Sequence, residues 1–139
     1  MRPEIEILGG QQVFGPAATS NLHELIQVGL PHQALVTRSR KLHLTHDDEA
    51  RVLAVSSSTL RRRRQGGRLG PAISDRLARI ARLYSLAEDV LESEEAASAW
   101  LREPVPVLDG EIPLELLATD WGAERVREAL MRIEHGLFA

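Results

Sequence analysis

Apolar residues recur along this chain at spacings of three and four, and nowhere alternate with polar ones for long enough to predict a strand. The clearest run follows Pro71. Leu77, Ile80, Leu83, Tyr84, Ala87, Val90 and Leu91 fall on one stripe, which predicts a long helix over 72–92. Shorter helices bracket it. Ser20 or Asn21 can cap one through Val28, and Gly29 is placed to end it. Pro31 can open a second, reaching about His43. Thr45 can cap a third, whose first turn holds Asp47, Asp48 and Glu49 at the positive end of the helix dipole. After a tight break near Val55-Ser56, the run SSSTLRRRR predicts a fourth, ended by Gly66-Gly67. Beyond the long helix, Ser93 can cap a helix over 94–102. Pro113 opens a short one after the loop EPVPVLDGEIP. Asp120 is expected to cap the last helix, with Val126, Leu130 and Ile133 on one side and Gly136 as its stop.

The expected fold class is all-α. Residues 1–19 lack sustained periodicity and are expected to form a flexible arm, with Ile5–Leu8 as the part that docks. Residues 20–92 and 93–139 are then two helical units. Aromatic residues make up only 4% of the chain, so the core must be built from Leu, Ala, Val and Ile, which suits packed helices better than a sheet. No cysteine is present, which excludes disulfides and thiolate metal sites. The N-terminus lacks a signal pattern, and no apolar run approaches the roughly twenty residues of a membrane span. The expected location is the cytoplasm, without membrane association.

Charge changes the picture, because it is sorted by position. Between Arg38 and Arg82 twelve basic residues face four acidic ones, a surplus of +8. Between Leu83 and Ala139 four basic residues face thirteen acidic ones, a balance of −9. A cationic middle suits phosphate, and the acidic half must serve another partner. Thr45–Arg64 reads as helix, tight turn, helix, the arrangement that lays a second helix in a DNA major groove. Ser56, Ser57, Ser58 and Thr59 start that second helix, where hydroxyls and free N–H groups suit phosphate oxygens. Arg61, Arg62, Arg63 and Arg64 wrap it at about 100° per residue, so at most two reach base edges. Arg68 is a candidate for a flanking phosphate.

Catalytic chemistry has no comparable signal. The five histidines are scattered, and no Walker A, G-x-S-x-G or G-x-G-x-x-G run appears. His43 and His46 straddle a cap without thiol partners. No catalytic residue, metal site or cofactor is expected. In the acidic half, Trp100 reads first as core packing, while Trp121, in the first turn of its helix, is open between packing and contact. Leu137-Phe138-Ala139 follow a helix stop and could dock in a pocket, with a terminal carboxylate adding charge.

At these residues the chain resembles the Xre/MbcA/ParS-type antitoxins, partners of RES-domain toxins in bacterial toxin–antitoxin pairs. The motifs are Trp100-Leu101, Pro104, Leu108, Gly110, Pro113, Leu116-Leu117, Gly122, Val126, Leu130 and Ile133-Glu134-His135-Gly136. Upstream, Gly29-Leu30-Pro31, Ser58-Thr59-Leu60 with Arg62-Arg63, and Ser74-Asp75-Arg76-Leu77 match the family's other half. The resemblance covers roughly residues 20–139. It implies an operator-binding, homodimeric helix-turn-helix domain over 20–92 that represses its own operon. It also implies a toxin-binding domain over 93–139 that covers the active site of an NAD-consuming toxin. Candidate toxin contacts are Trp100, Pro104, Leu108, Trp121, Glu134, His135, Gly136, Leu137, Phe138 and Ala139. The chain departs from the family at Trp121, where relatives often carry a polar residue, and at Val105-Pro106-Val107. The residues by themselves leave open a stand-alone regulator whose second domain oligomerises or binds a ligand.

Overall fold

A computed structural model describes residues 2–19 and 21–136. The alternative cap at Ser20 and the probe Leu137–Ala139 lie outside the described residues. Among those described there are ten α-helices and no strand. They are α1 (Pro3–Ile7), α2 (Gly10–Phe14), α3 (Leu22–Val28), α4 (His32–Leu42) and α5 (His46–Val52), then α6 (Ser57–Gln65), α7 (Pro71–Leu91), α8 (Glu94–Arg102), α9 (Pro113–Leu116) and α10 (Asp120–Glu134). Single 3-10 turns occupy Gly15–Thr19 and Pro106–Leu108.

The 21-residue α7 organises the fold. Gly70, at φ 82°, turns the chain into it, Pro71 occupies its first position, and Glu92 ends it in the left-handed region. Leu77, Ile80, Leu83, Tyr84 and Ala87 are buried along the predicted stripe. Helices α1, α3, α8 and α10 all pack on α7. Each large side chain buried there contributes about 1.5–3 kcal/mol relative to exposure.

The N-terminal segment differs from the expected arm. It folds as α1, α2 and a 3-10 turn, with Ile5 and Leu8 fully buried and Phe14 and Ala18 buried behind them. Helices of five residues have no stability alone. They form because Ile5 and Leu8, one turn apart, cover apolar surface that α7 leaves open. Within the segment expected as an arm, Ile5 and Leu8 are the side chains most deeply buried.

Two of the buried polar residues, Ser74 and Arg38, tie α4 and the loop before it to α7. The buried Ser74 hydroxyl accepts the N–H of Leu30 at 2.7 Å, while Leu30 O accepts from Leu69 at 2.9 Å. The loop before α4 is thereby tied both to α7 and to the loop after α6. Arg38 is 2% exposed, and its guanidinium stacks 3.8 Å from the centre of the Tyr84 ring. Its Nε and Nη2 have no hydrogen-bond partner, and burial pushes its pKa below the usual arginine value.

The C-terminal half closes on α7 through α10. Val105 and Glu111 form an isolated antiparallel bridge, folding the Pro-rich loop back on itself. Thr119, not Asp120, caps α10: its hydroxyl accepts the N–H of Gly122 at 3.0 Å. Asp120 is instead the first helical residue, and its carboxylate accepts from Arg79 at 2.7 Å. Arg79 is buried on α7 and also donates to Leu117 O at 3.0 Å, so one guanidinium fixes the α9–α10 corner. Contacts between the halves continue at Arg51 Nε, 2.9 Å from Glu115.

Gly122 is required by the approach of α10 to α9. A Cβ there would lie 1.9 Å from Leu116 O, a backbone atom that cannot swing aside. Gly122→Ala is therefore expected to cost about 2–4 kcal/mol, above the ordinary overpacking range because backbone must move. Urea unfolding checks it; a loss below about 1 kcal/mol would mean that the corner can open freely.

Candidate functional site

Helices α5 and α6 and the four residues between them form the helix-turn-helix. Thr45 makes a full capping box at the start of α5: its hydroxyl accepts from Asp48 N at 3.1 Å, and Asp48 Oδ2 accepts from Thr45 N at 3.0 Å. The backbone bond, then the Thr45 hydroxyl and Arg51, hold the Asp48 carboxyl below the usual aspartate range. In the turn, Ala54 adopts φ 56°, a left-handed conformation uncommon for a residue with a side chain.

Ser56 then caps α6, its hydroxyl accepting from Thr59 N at 3.1 Å and donating to Thr59 Oγ1 at 2.8 Å. Ser57 Oγ donates to Asp47 at 3.3 Å. Three of the four expected hydroxyls, those of Ser56, Ser57 and Thr59, are thus committed to the helix start, and Ser58 is exposed. Leu60 is the buried anchor of α6, while Arg61, Arg62 and Arg63 face solvent. Arg63 lies over the Gly70 turn, its Cζ 3.5 Å from where a Cβ on that glycine would sit. Arg68 is exposed, and its Nη1 donates to Gly29 O at 2.8 Å.

Arg64 departs from the expectation of a DNA contact. Its side chain is only 24% exposed and forms a two-bond pair with Glu49, Nη1–Oε1 at 2.5 Å and Nη2–Oε2 at 3.3 Å. Glu49 is itself buried and accepts from Ser39 on α4. One carboxylate therefore ties α4, α5 and α6 together. The Asp47-Asp48-Glu49 run looks from the sequence like three dipole-facing acids. Helical geometry turns the third inward, and Arg64, one turn beyond the buried Leu60, follows it.

In the C-terminal half the expected contact residues separate. Leu108 is buried, because the 3-10 turn and the Val105–Glu111 bridge point it into the core; it is a packing residue. Trp100 is partly buried against the same core. Pro104, Glu134, His135 and Gly136 are exposed, and Trp121 is exposed at 82%. Exposed acids surround this half: Asp109 and Glu111 hold Arg125 at 3.6 and 2.7 Å, and Glu124 holds Arg127 at 2.7 Å. The Arg127 bond holds the Glu124 carboxyl below its usual range. Among the described residues no group of three or more His, Asp or Glu is placed to hold a metal ion. No helix among them is long and apolar enough to cross a membrane.

A helix-turn-helix with a basic second helix, joined through one long helix to an acidic helical domain, defines the class of protein. Residues 22–82 match the family described as the antitoxin Xre-like helix-turn-helix domain. Residues 86–136 match the antitoxin Xre/MbcA/ParS C-terminal toxin-binding domain. The two occur in order, so the chain carries both the helix-turn-helix and the C-terminal domain of Xre/MbcA/ParS-type antitoxins. It is 36% identical over 85 residues to an Antitoxin Xre of Yersinia enterocolitica, covering 60% of this chain and 57% of that one. It is 37% identical over 75 residues to a Prs ADP-ribosylating antitoxin of Sphingobium, covering 48% and 47%. An Antitoxin Xre of Photorhabdus laumondii is 26% identical over 126 residues, covering 89% and 85%. The chain spans about half the length of the first of these curated relatives that it matches.

Arg64→Ala should strand the buried Glu49 carboxylate and cost about 2–4 kcal/mol. Arg62→Ala, on the exposed side, should stay within about 0.5 kcal/mol of wild type. Chemical denaturation of the two variants side by side decides whether Arg64 belongs to the core or to the surface.

Proposed function

We propose that this chain is the antitoxin of a type II toxin–antitoxin pair, with two partners held by its two halves. The C-terminal domain neutralises a cognate RES-domain, NAD-consuming toxin by covering its active site. The helix-turn-helix, acting in a homodimer, binds double-stranded operator DNA and represses the operon. The observation that carries this reading is the charge division within one matched family: exposed arginines on α6, and exposed acids around α9 and α10. The likeness to the Sphingobium relative, a Prs ADP-ribosylating antitoxin, supports a toxin that handles NAD-derived groups.

On DNA, Arg61, Arg62 and Arg63 are the principal cations, with Ser58 and the N–H end of α6 beside them and Arg68 at the flank. Ser56, Ser57 and Thr59 shape the helix start, and Arg64 positions the helix through Glu49 without reaching phosphate. On the toxin, Pro104, Glu134, His135 and Gly136 supply surface. Leu137-Phe138-Ala139 are the probe that enters the catalytic cleft, where a dinucleotide site must offer an apolar slot for a ring.

Arg62 and Arg63 replaced together by Ala should lower the log–log salt slope of operator binding by about 0.9 for each phosphate no longer neutralised. The same variant should still rescue growth from the toxin. An unchanged slope refutes the backbone contacts, and failure to rescue despite normal folding refutes the separation of partners.

Removal of Leu137–Ala139 should leave folding and operator binding intact, since Val126 and Leu130 keep α10 packed. Protection of NAD⁺ in a purified-toxin assay should fall by at least about tenfold. Full protection at equal stoichiometry would assign inhibition to the helical surface instead.

A further inference from the structure

Trp121 is at odds with the rest of this fold. It is 82% exposed, and only it and Val28 are exposed large apolar side chains among the described residues. An indole is among the largest apolar groups a protein can bury, and this chain has few aromatics with which to build its core.

Its exposure is imposed by the backbone beneath it. On one side, Gly122 is pressed against Leu116 O, where no Cβ fits, and its N–H is held by Thr119 Oγ1 at 3.0 Å. On the other, Asp120 is held by the buried Arg79 at 2.7 Å. With both neighbours fixed, the first turn of α10 cannot rotate to hide the ring. One and two turns along the same face stand Glu124, Arg125 and Glu128. Arg125 is drawn to Glu111 and Arg127 to Glu124, so the nearby cations are already matched by acids and the collar keeps a negative excess.

We propose that Trp121 is a second anchor for the toxin, seated in an apolar slot rimmed by Lys or Arg on that protein. This rests on the antitoxin reading above and deepens it. The acidic collar selects a basic rim, and the span matched to a toxin-binding domain includes Trp121. An exposed tryptophan beside a charged patch has the makings of an interface hot spot. A second copy of this chain is the poorer occupant, since a twofold contact through Trp121 sets one acidic collar against another. DNA is excluded by the same charge.

The anchor differs in kind from the C-terminal probe. α10 runs from Asp120 to Glu134, so at 1.5 Å per residue Trp121 lies roughly 20 Å from the end of the helix after which the proposed probe follows in sequence. A contact at the start of α10, away from that end, holds the toxin without blocking its catalytic cleft. Trp121 therefore sets affinity, and the probe sets the completeness of inhibition.

The test uses the full chain and the purified toxin encoded beside it. For Trp121→Ala we expect the Kd for toxin to rise about thirtyfold or more, the factor typical of a hot-spot truncation. Inhibition of NAD⁺ loss should still be complete when the variant saturates the toxin, and Trp121→Phe should recover most of the affinity. Operator affinity and the urea midpoint should not move. A Kd within about twofold of wild type overturns the anchor alone. So does a Trp121→Ala variant that inhibits incompletely at saturation, which would place the ring in the catalytic cleft. A change in self-association by sedimentation also overturns it, by placing the ring between copies. Failure of the wild-type chain to bind the toxin overturns the antitoxin reading and the anchor with it.

Discussion

Both halves of this chain bury their apolar faces on one helix, and the remaining features follow from that sharing. Apart from α7, the helices run from four to fifteen residues, most too short to persist in water. With aromatics at 4% of the sequence, no short helix can bring enough apolar area to form a core of its own. α7 supplies the common surface. α1 and α3 reach it from the N-terminal side, and α8 and α10 from the C-terminal side. The cationic and anionic stretches are consequently parts of one packed body rather than two domains on a hinge. Arg51–Glu115 and the Arg79 contacts to Leu117 and Asp120 reinforce the junction.

The second consequence concerns where charge is spent. Buried carboxylates and guanidinium groups cost desolvation, and they persist only with a partner or a stacking surface. Glu49 has Arg64 and Ser39, Arg79 has Asp120 and the Leu117 carbonyl, and Arg38 has the Tyr84 ring. Each of these groups orients a neighbouring helix. Glu49 does so for α6, setting the direction in which Arg61, Arg62 and Arg63 point. A run of four arginines therefore contains one positioning residue and three available cations.

Local chemistry made most of the fold legible in advance. Asn21, offered beside Ser20, and Thr45 and Ser93 announce helix starts through side-chain caps, and these three caps are in place; Ser56, read only as lying at the start of its helix, proves to be a fourth. The stripe on α7 and the stops at Gly29 and Gly66 follow the same short-range rules. What escaped depends on contacts between distant residues. The N-terminal helices have no periodicity long enough to notice, because two residues, Ile5 and Leu8, do most of the docking. Leu108 carries a family motif, yet nothing near it in sequence says that the loop folds inward. Thr119 and Asp120 are both good caps, and Arg79, some forty residues away, draws the aspartate aside. The inward turn of Arg64 requires knowing that Glu49 is buried, which three consecutive acids conceal.

The candidate sites divide along the same line. Exposure of the three arginines on α6 could be guessed from their number, since a nine-residue helix buries one stripe and Leu60 occupies it. For Trp121 the sequence leaves packing and contact open, because a tryptophan in a chain poor in aromatics suits a core as well as a surface anchor. The deciding feature is the residue after it. Gly122 must face the Leu116 carbonyl for α10 to reach α9, and on a helix the preceding side chain then points about 100° away from that contact. The close approach that joins the two helices is therefore also what turns the indole outward. A stability constraint and a surface feature thus have one geometric origin. Relaxing the corner with a different helix approach would remove both, which is why the glycine and the tryptophan are best understood as a pair.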